Sequence, residues 1–422
     1  MSAEIPNATK SVRAFTPALV LLAVAILINY VDRGNLAIAA PLLKDELDIS
    51  PSKLGMLFSA FFSSYTVFIF VSGWLVDRFN VNGVLAAGFA LWSAATAATG
   101  IAGGFATLFA MRLLLGVGES VAFPSCSKIL ALRLPEEYRG FANGVIAAGM
   151  KAGPAVGTLG AGLLMARYGW RVVFIGIGLA SLLWLPAWIR WAPRSASDHH
   201  SIARGPSAAD ILEQRSFWGA SLGHFCANYV SYFMVSWLPL YLVRERGLSM
   251  QTMAKVASAY YLADAAAAFA TGWITDRFIR QGGSVTFVRK AAMAVGHSMV
   301  AVALAGCASA GSRTYLIWLI LVGLGMGISG AGIFAFAQTL AGRVAAGRWA
   351  GLQNGFGNFS GVISPAVAGF LVQWSGHFTL ALGITAATSL VAVVAWTLIV
   401  GPLTEIQWPY PGAVAPSQVK DT

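Results

Sequence analysis

Six charged side chains lie deep inside long apolar segments of this sequence, and two histidines there, His224 and His297, can also titrate. The six are Asp32, Arg33, Arg112, Glu119, Lys151 and Asp264. In a membrane-spanning helix such a charge costs about 2.5–3.5 kcal/mol on insertion scales, so each one marks a candidate functional site. A carboxyl group can bind and release a proton there, and an arginine can bind an anion. Five of the six lie in the first half of the chain.

Helical geometry predicts which of these groups meet. Arg112 and Glu119 are seven residues apart, so they share one helix face at heights that differ by about 10 Å. Counting the helical rise from each end places Asp32 and Arg112 at similar depths, and we expect these two to pair. Glu119 is expected nearer the midplane. Arg33 projects about 100° away from Asp32 around its helix, so it is not obliged to pair with it.

These positions predict a division of roles. Desolvation favours the protonated form of a carboxyl group, and a nearby arginine favours the charged form. Asp32 and Glu119 are therefore predicted to carry a proton. The guanidinium fork of Arg33 suits a carboxylate or phosphate, so Arg33 is predicted to bind a substrate anion. The alternative is a static ionic network that holds two helices together.

The composition identifies the solvent around these segments. Of 422 residues, 57% are hydrophobic and 11% are charged, whereas a soluble domain carries about 25% charged residues. Cys126, Cys226 and Cys307 all lie in apolar runs and show neither a disulfide framework nor a metal-binding spacing. We therefore expect an integral membrane protein with no metal and no cofactor.

Apolar runs long enough to cross a bilayer predict an all-α fold of twelve transmembrane helices in two six-helix bundles. The runs are 15–38, 54–77, 83–103, 105–130, 140–165, 170–192, 216–243, 251–275, 289–309, 313–340, 349–374 and 377–400. The first run could also be read as a signal peptide, but Asp32, Arg33 and the spans that follow argue against cleavage.

The net charge of +11 raises the alternative of a nucleic-acid partner. Lysine and arginine, however, are more numerous in the connections on the side of the N-terminus than in those on the opposite side. This bias predicts cytoplasmic N- and C-termini and accounts for the positive charge as a topology signal. No nucleic-acid partner is expected.

One motif occurs twice, as "SGWLVDRF" at 72–79 and "TGWITDRF" at 271–278. Each copy ends the second span of its half, which predicts a duplicated unit related by an axis along the membrane normal. The polar segment 193–215 divides the chain into an N-terminal bundle, 1–192, and a C-terminal bundle, 216–422. The motif residues are predicted to tie helix ends together in one conformation: Gly73, Asp77, Arg78, Gly272, Asp276 and Arg277. Simple anchoring by arginine at the cytoplasmic surface is the alternative.

Twelve spans, a central polar segment and the duplicated motif resemble the major facilitator superfamily. The stretches "NYVDRGNLAIAAP" at 29–41, "RLLLGVGESVAFPS" at 112–125 and "NGFGNFSGVISPAVAGFL" at 354–371 are similar to its anion:cation symporter branch. That branch includes sialin-like proteins and bacterial transporters of galactonate, glucarate and hexuronates. The resemblance implies proton-coupled uptake of a small organic anion by alternating access, with a sugar acid such as an aldonate or hexuronate as the substrate.

The same resemblance implies residue roles and a location. Asp32 and Glu119 match the protonation pair of the branch, and Arg112 matches its coupling arginine. Tyr30, Arg33 and Tyr65 match positions that face the substrate. A multi-pass protein of the bacterial inner membrane is implied, and we expect a monomer.

The stretch "AAGMKAGPAVG" contains Met150 and Lys151 where galactonate-type members of the branch place a polar amide in the fifth span. Lys151 is predicted to lie near the substrate, where it would serve a second carboxylate or a more strongly anionic substrate. Equally, it would neutralise Asp32 or Asp264. The sequence leaves these alternatives open.

Polar residues of the second half complete the candidate site. Asn228 and Tyr232 are four residues apart on one helix face and can hydrogen-bond the hydroxyl groups of a substrate. The alternative for this pair is packing within an aromatic belt. Asn354, with Gln338 and Asn358, is a weaker candidate of the same kind. His224 is either an interior histidine or a proton carrier.

Two other functions compete with uptake. The stretch "GMKAGPAVGTLG" at 149–160 resembles the Gly–Pro motif of drug:proton antiporters, so proton-coupled efflux is the main alternative. Arg33 and Arg112 favour an anion over a lipophilic cation. A receptor or membrane enzyme is disfavoured, because the sequence shows no nucleophile–base pair, no metal motif and no large soluble domain.

Overall fold

A computed structural model describes residues 5–134, 136–193, 206–309, 311, 314–330 and 332–408. The regular elements of this part of the chain are all helical. In chain order they are α1 (Ile5–Glu46), α2 (Pro51–Arg78), α3 (Val81–Thr99), α4 (Phe105–Glu119), α5 (Ala122–Arg133), α6 (Glu136–Leu182), α7 (Trp184–Trp191), α8 (Ala208–Leu212), α9 (Arg215–Arg244), α10 (Met250–Arg280), α11 (Val285–Ser309), α12 (Tyr315–Gly330), α13 (Ile333–Asn358), α14 (Ser360–Ser375) and α15 (Thr379–Val394), followed by a π-helical turn, Ala395–Ile399.

Nine helical stretches among the described residues are long and apolar enough to cross a membrane. One of them, Phe141–Trp191, is 51 residues long and turns at Gly169, where φ is 77°, so it contains two spans. Helices α9 and α10, of 30 and 31 residues, are also long enough to cross a core of about 30 Å. The protein therefore has twelve transmembrane helices in two bundles of six, as the sequence predicts.

Some consecutive spans are connected by a single turn of the backbone, without the loop that the gaps between the apolar runs suggest. Gly342, at φ 63°, lets α13 turn without a loop between the tenth and eleventh spans. A positive φ of this kind is costly for residues with a Cβ atom, which explains glycine at Gly169 and Gly342. The fourth span is interrupted at Ser120 and Val121, directly after Glu119. Most of the predicted linker, residues 194–205, lies outside the described residues.

The two bundles contact each other closely at the end of the molecule where α1 ends and α2 begins. A Cβ atom on Gly369 of α14 would lie 2.6 Å from the Pro51 carbonyl oxygen, and one on Gly55 would lie 2.6 Å from that of Pro365. Small residues allow this approach of helix backbones within a membrane. The Ser52 amide also donates to Gln373 Oε1 at 3.1 Å. We call this the closed end.

Polar contacts between the first and ninth helices also hold the closed end. Arg244, at the end of α9, donates from Nη2 to the Pro41 carbonyl oxygen at 3.2 Å and to the Asp45 carboxylate. On the other side, the Ser258 hydroxyl of α10 donates to the Ala155 carbonyl oxygen at 2.9 Å. The closed end is therefore sealed along both lines where the bundles meet.

Toward the opposite end, the Phe70 ring of α2 lies near α13, with its Cζ atom 3.0 Å from the position of a Cβ atom on Gly355. Both copies of the duplicated motif lie there. Trp74 and Trp273, at equivalent positions of the two copies, are 59% and 58% exposed. We call this the open end, and the similar exposure of the two tryptophans matches the predicted duplication.

Replacing Gly369 by alanine is expected to destabilise the closed end. The new methyl group would meet the backbone of Pro51 and Gly55, which cannot move aside as a flexible side chain can. Overpacking of this kind costs about 1–3 kcal/mol. We expect Gly369→Ala to lower the melting temperature of the purified protein. Gly383→Ala is the control, because no atom lies within 4 Å of the added Cβ. Equal melting temperatures for the two variants would contradict the expectation.

Candidate functional site

A buried ion pair lies at the centre of the N-terminal bundle. Arg33 Nε of α1 donates to Glu119 Oε2 of α4 at 2.8 Å. The side chains of Arg33 and Glu119 are 7% and 0% exposed. Removing one partner of such a pair leaves an uncompensated buried charge, at a cost of about 3–5 kcal/mol. The two charges are therefore strongly coupled.

Aromatic rings surround the Arg33 guanidinium. Its Cζ atom lies 4.7 Å from the Tyr30 ring centroid, 4.6 Å from that of Tyr65 and 5.4 Å from that of Phe61. Arg112 Cζ lies 4.8 Å from the Phe61 centroid. Cation–π contacts of this kind are worth about 2 kcal/mol when desolvated. Tyr30, Arg33 and Tyr65, which match the substrate-facing positions of the branch, thus lie together.

Close helix packing positions Glu119. A Cβ atom on Gly116 would lie 2.4 Å from the Phe61 carbonyl oxygen, and one on Gly118 would lie 2.8 Å from the Trp92 amide nitrogen. These glycines let α4 approach α2 and α3 closely. The helix then ends at Glu119, and the Ser120 hydroxyl lies 2.7 Å from that of Ser72. The carboxylate is thus fixed at an interruption of the fourth span.

The predicted contact between Asp32 and Arg112 is absent from the described residues. The two are electrostatic neighbours, but no hydrogen bond or ion pair joins them. Asn35 Nδ2, one turn along α1, donates to Asp32 Oδ1 at 3.1 Å. Arg112 instead places its guanidinium against the Phe61 ring. The expected pairing rested on similar depth, and depth does not fix the direction in which a side chain points.

The prediction for Arg33 needs a correction of the same kind. The sequence left Arg33 without an assigned partner, and in this structure it is bound to Glu119. Four polar atoms of the group are buried and have no hydrogen-bond partner among the described residues: Asp32 Oδ2, Arg33 Nη2, Arg112 Nε and Glu119 Oε1. Leaving such atoms unpaired costs about 1–3 kcal/mol each. Unused donors and acceptors favour a binding site over a static network.

The structure adds residues that the sequence interpretation missed. Asn29 lies buried with both side-chain polar atoms unpaired, next to Tyr30. Phe61, which contacts both arginines, lies one helical turn before Tyr65, and Asn35 lies three residues after Asp32. Phe61 and Asn35 could have been identified from the sequence, because residues three or four positions from a predicted site residue lie on the same helix face.

In the C-terminal bundle, Tyr232 and Asn358 lie together. The Tyr232 hydroxyl donates to Asn358 Oδ1, and Asn358 Nδ2 donates to the Asn354 carbonyl oxygen at 2.8 Å. The Tyr232 and Phe62 ring centroids are 4.1 Å apart, across the two bundles. The Asn228 and Asn354 side chains are half-buried. Tyr232 is thus placed where the bundles face each other.

The buried histidine is held by its own bundle. His224 Nδ1 lies 3.4 Å from Gln353 Nε2, and the ring packs against Gly357. Gln353 also accepts from Trp349 Nε1 at 2.9 Å. These contacts favour an interior histidine over a proton carrier.

The contacts of Lys151 show which of the two candidate carboxylates, Asp32 or Asp264, it meets in this structure. Its Nζ atom lies 3.0 Å and 3.1 Å from the two carboxylate oxygens of Asp264. Lys151 belongs to α6 and Asp264 to α10, so this ion pair joins the two bundles. Lys151 therefore neutralises Asp264 in this conformation.

The residues of the duplicated motif lie at the open end. Asp276 and Arg277 are exposed, and Arg277 Cζ lies 5.7 Å from the Trp273 ring centroid. A Cβ atom on Gly73 or Gly272 would meet nothing within 4 Å. Arg78 is exposed, and the Asp77 side chain lies outside the described part of the chain. Among the described residues, no ion pair includes Arg78, Asp276 or Arg277.

The chain is similar to known sugar-acid transporters. A probable galactarate/D-glucarate transporter of Bacillus subtilis (strain 168) is 27% identical over 94% of this chain and 93% of its own. A hexuronate transporter of the same organism is 28% identical over 89% of this chain and 93% of its own. Both relatives are matched over nearly their whole length, so they share the architecture described above.

A solved structure shows the same fold. It is that of a bacterial homologue of the human lysosomal transporter Spinster, in an inward-facing and occupied conformation. The TM-score is 0.74 at 17% identity, over 91% of this chain and 94% of the other. The family model for the Major Facilitator Superfamily matches residues 22–343. With twelve helices in two bundles and relatives among bacterial sugar-acid transporters, this multi-pass membrane protein is a transporter, not an enzyme, and belongs to the major facilitator superfamily.

Proposed function

We propose that the protein carries a small organic anion, a sugar acid such as an aldonate or hexuronate, together with protons by alternating access. One observation carries this proposal: the Arg33 guanidinium is stacked between Tyr30 and Tyr65 and bound to the buried Glu119 carboxylate. Arg33 is a cation suited to a substrate carboxylate, and here it binds the Glu119 carboxylate, which a proton can neutralise. The names of the two relatives support a sugar acid as the substrate.

The pair suggests how proton and substrate are coupled. While Glu119 is charged, it satisfies Arg33. A proton on Glu119 weakens that bond and leaves the guanidinium free for a substrate carboxylate. Substrate binding and protonation of Glu119 then favour each other, as reciprocal linkage requires. Asp32 lies beside this pair and would share the proton, and Arg112 would couple the charge of the two carboxyl groups without itself titrating.

The arrangement of contacts, with one closed and one open end, supports alternating access as the mechanism. We infer that the N- and C-termini are cytoplasmic, as the charge bias predicts, so that the open end faces the cytoplasm. The duplicated motif residues, including Asp77, Asp276 and their neighbouring arginines, would then pair when the bundles close at that end. The boundary between the bundles is proposed within 193–215. We further propose a monomer in the bacterial inner membrane.

Uptake into proteoliposomes tests the function. The purified protein is reconstituted, an inward proton gradient is imposed, and labelled galactonate, glucuronate, glucarate and a dicarboxylate without hydroxyl groups are offered in turn. Accumulation of one of them, abolished by an uncoupler, is the expected result. If none of the acids enters with or without the gradient, the proposed substrate class is wrong. Efflux of a preloaded lipophilic compound against the same gradient would favour the antiporter that the 149–160 motif resembles.

A further inference from the structure

The Lys151–Asp264 pair differs in its surroundings from the Arg33–Glu119 pair. The Lys151 and Asp264 side chains are 37% and 18% exposed, whereas those of Arg33 and Glu119 are 7% and 0% exposed. The lysine pair therefore borders open space instead of packed protein. A partly exposed ion pair is held weakly and can be exchanged for another anion. Its ammonium group is a compact charge that suits many anionic groups.

The Lys151 ammonium faces the backbone of Gly330. Its Nζ atom lies 4.0 Å from the position of a Cβ atom on Gly330 of α12, where glycine has no side chain. A larger side chain at Gly330 would fill this space. Lys151 is thus bordered by Asp264 on α10 and by bare backbone on α12.

Contacts between α6 and α1 show where Lys151 lies relative to Arg33 along the bundle. A Cβ atom on Gly153 of α6 would lie 2.5 Å from the Tyr30 Cβ atom. Lys151 is two residues from Gly153, which is about 3 Å along the helix. Arg33 stacks on the Tyr30 ring. Gly149, on the other side of Lys151, meets Ala23 and Leu27. Lys151 is therefore offset from Arg33 toward the N-terminus of α1 by one to two helical turns, about 5–10 Å. A substrate bound to Arg33 at one end and to Lys151 at the other would extend along this offset.

We propose that Lys151 binds a second anionic group of the substrate and that Asp264 occupies this position in the empty carrier. The preferred substrate class is then a sugar diacid (an aldarate), with one carboxylate on Arg33 and the other on Lys151. This inference rests on the proposed function and narrows its substrate class. One carboxylate of such a substrate would replace Glu119 at Arg33, and the other would replace Asp264 at Lys151.

The proposal also explains why the pair spans the bundles. Lys151 and Asp264 belong to different bundles, so an anion that separates them removes a contact that holds the bundles together. A monoacid bound only at Arg33 would leave that contact intact. Among the relatives, one is named for diacids, galactarate and glucarate, and the other for hexuronate, a monoacid. The similarity of the whole chain thus does not distinguish the two classes, whereas Lys151 does.

Binding measurements on the purified full-length protein test this inference without relying on transport. Dissociation constants are measured by calorimetry for galactarate and glucarate, and for galactonate and glucuronate as monoacids. The variants are Lys151→Gln, Asp264→Asn and, as a control, Lys255→Gln, an exposed lysine of α10. The melting temperature of each variant without ligand shows whether it is folded.

We expect the natural protein to bind the diacids more tightly than the monoacids. Lys151→Gln removes one charge-assisted hydrogen bond to the diacid, so its dissociation constant for the diacids should rise about tenfold or more. Its dissociation constants for the monoacids should be nearly unchanged. Asp264→Asn should strengthen diacid binding, because the competing carboxylate is gone. The control should match the natural protein.

Either of two results would overturn this inference while leaving the proposed function intact. In one, the natural protein binds monoacids as tightly as diacids. In the other, Lys151→Gln changes the affinity for both classes equally, which would assign the pair to bundle contact only. If none of the four acids binds to the natural protein, the proposed function fails as well, so the two failures are distinguishable.

Discussion

Glu119→Gln is expected to abolish proton-driven accumulation while exchange of substrate across the membrane continues. Each coupled proton contributes 1.36 kcal/mol per pH unit, so a gradient of one unit supports about tenfold accumulation per proton. Glutamine has the same shape but binds no proton, so the ratio should fall to about one. Arg33 loses its carboxylate partner in this variant and stays available to the substrate. Counterflow between preloaded and external substrate should therefore persist.

Glu46→Gln is the matched control for this experiment. Glu46 also pairs with an arginine, Arg171, at 2.8 Å, but at the end of α1 and with 46% of its side chain exposed. Its neutralisation should leave accumulation unchanged. If Glu119→Gln stops both accumulation and counterflow while the variant remains folded, Glu119 has a structural role and the proton must be carried elsewhere, with Asp32 as the next candidate.

Arg33→Lys is expected to weaken substrate binding about tenfold or more, which corresponds to about 1.4 kcal/mol. Lysine keeps the positive charge, but it cannot offer two parallel N–H donors to a carboxylate. It also loses the planar stacking between Tyr30 and Tyr65. The dissociation constant of the acid identified by uptake, measured by calorimetry on the purified variant, checks this expectation.

Arg167→Lys controls for the loss of an arginine stacked on a tyrosine. Arg167 Cζ lies 5.3 Å from the Tyr168 centroid, and Arg167 is exposed and distant in sequence from the site. This variant should bind substrate with unchanged affinity. Unchanged affinity in Arg33→Lys as well would move the anion site to Arg112 or Lys151.

The sequence alone determined the membrane class, the number of spans and the duplication. These properties follow from local composition and period: an apolar run of about 20 residues has few alternatives to a transmembrane helix. It also identified the buried charges, because Asp32, Arg33, Arg112 and Glu119 are conspicuous in apolar segments.

Only the tertiary structure decided the partners. Arg33 rather than Arg112 binds a carboxylate, and that carboxylate is Glu119, because glycines bring α4 against α2 and α3 and the helix ends at the carboxylate. Lys151 had several possible partners in sequence, and Asp264 became its partner through the packing of α6 against α10. Pairing depends on the angle of each side chain around its helix and on the rotation of helices against each other, and neither is fixed by spacing within one helix.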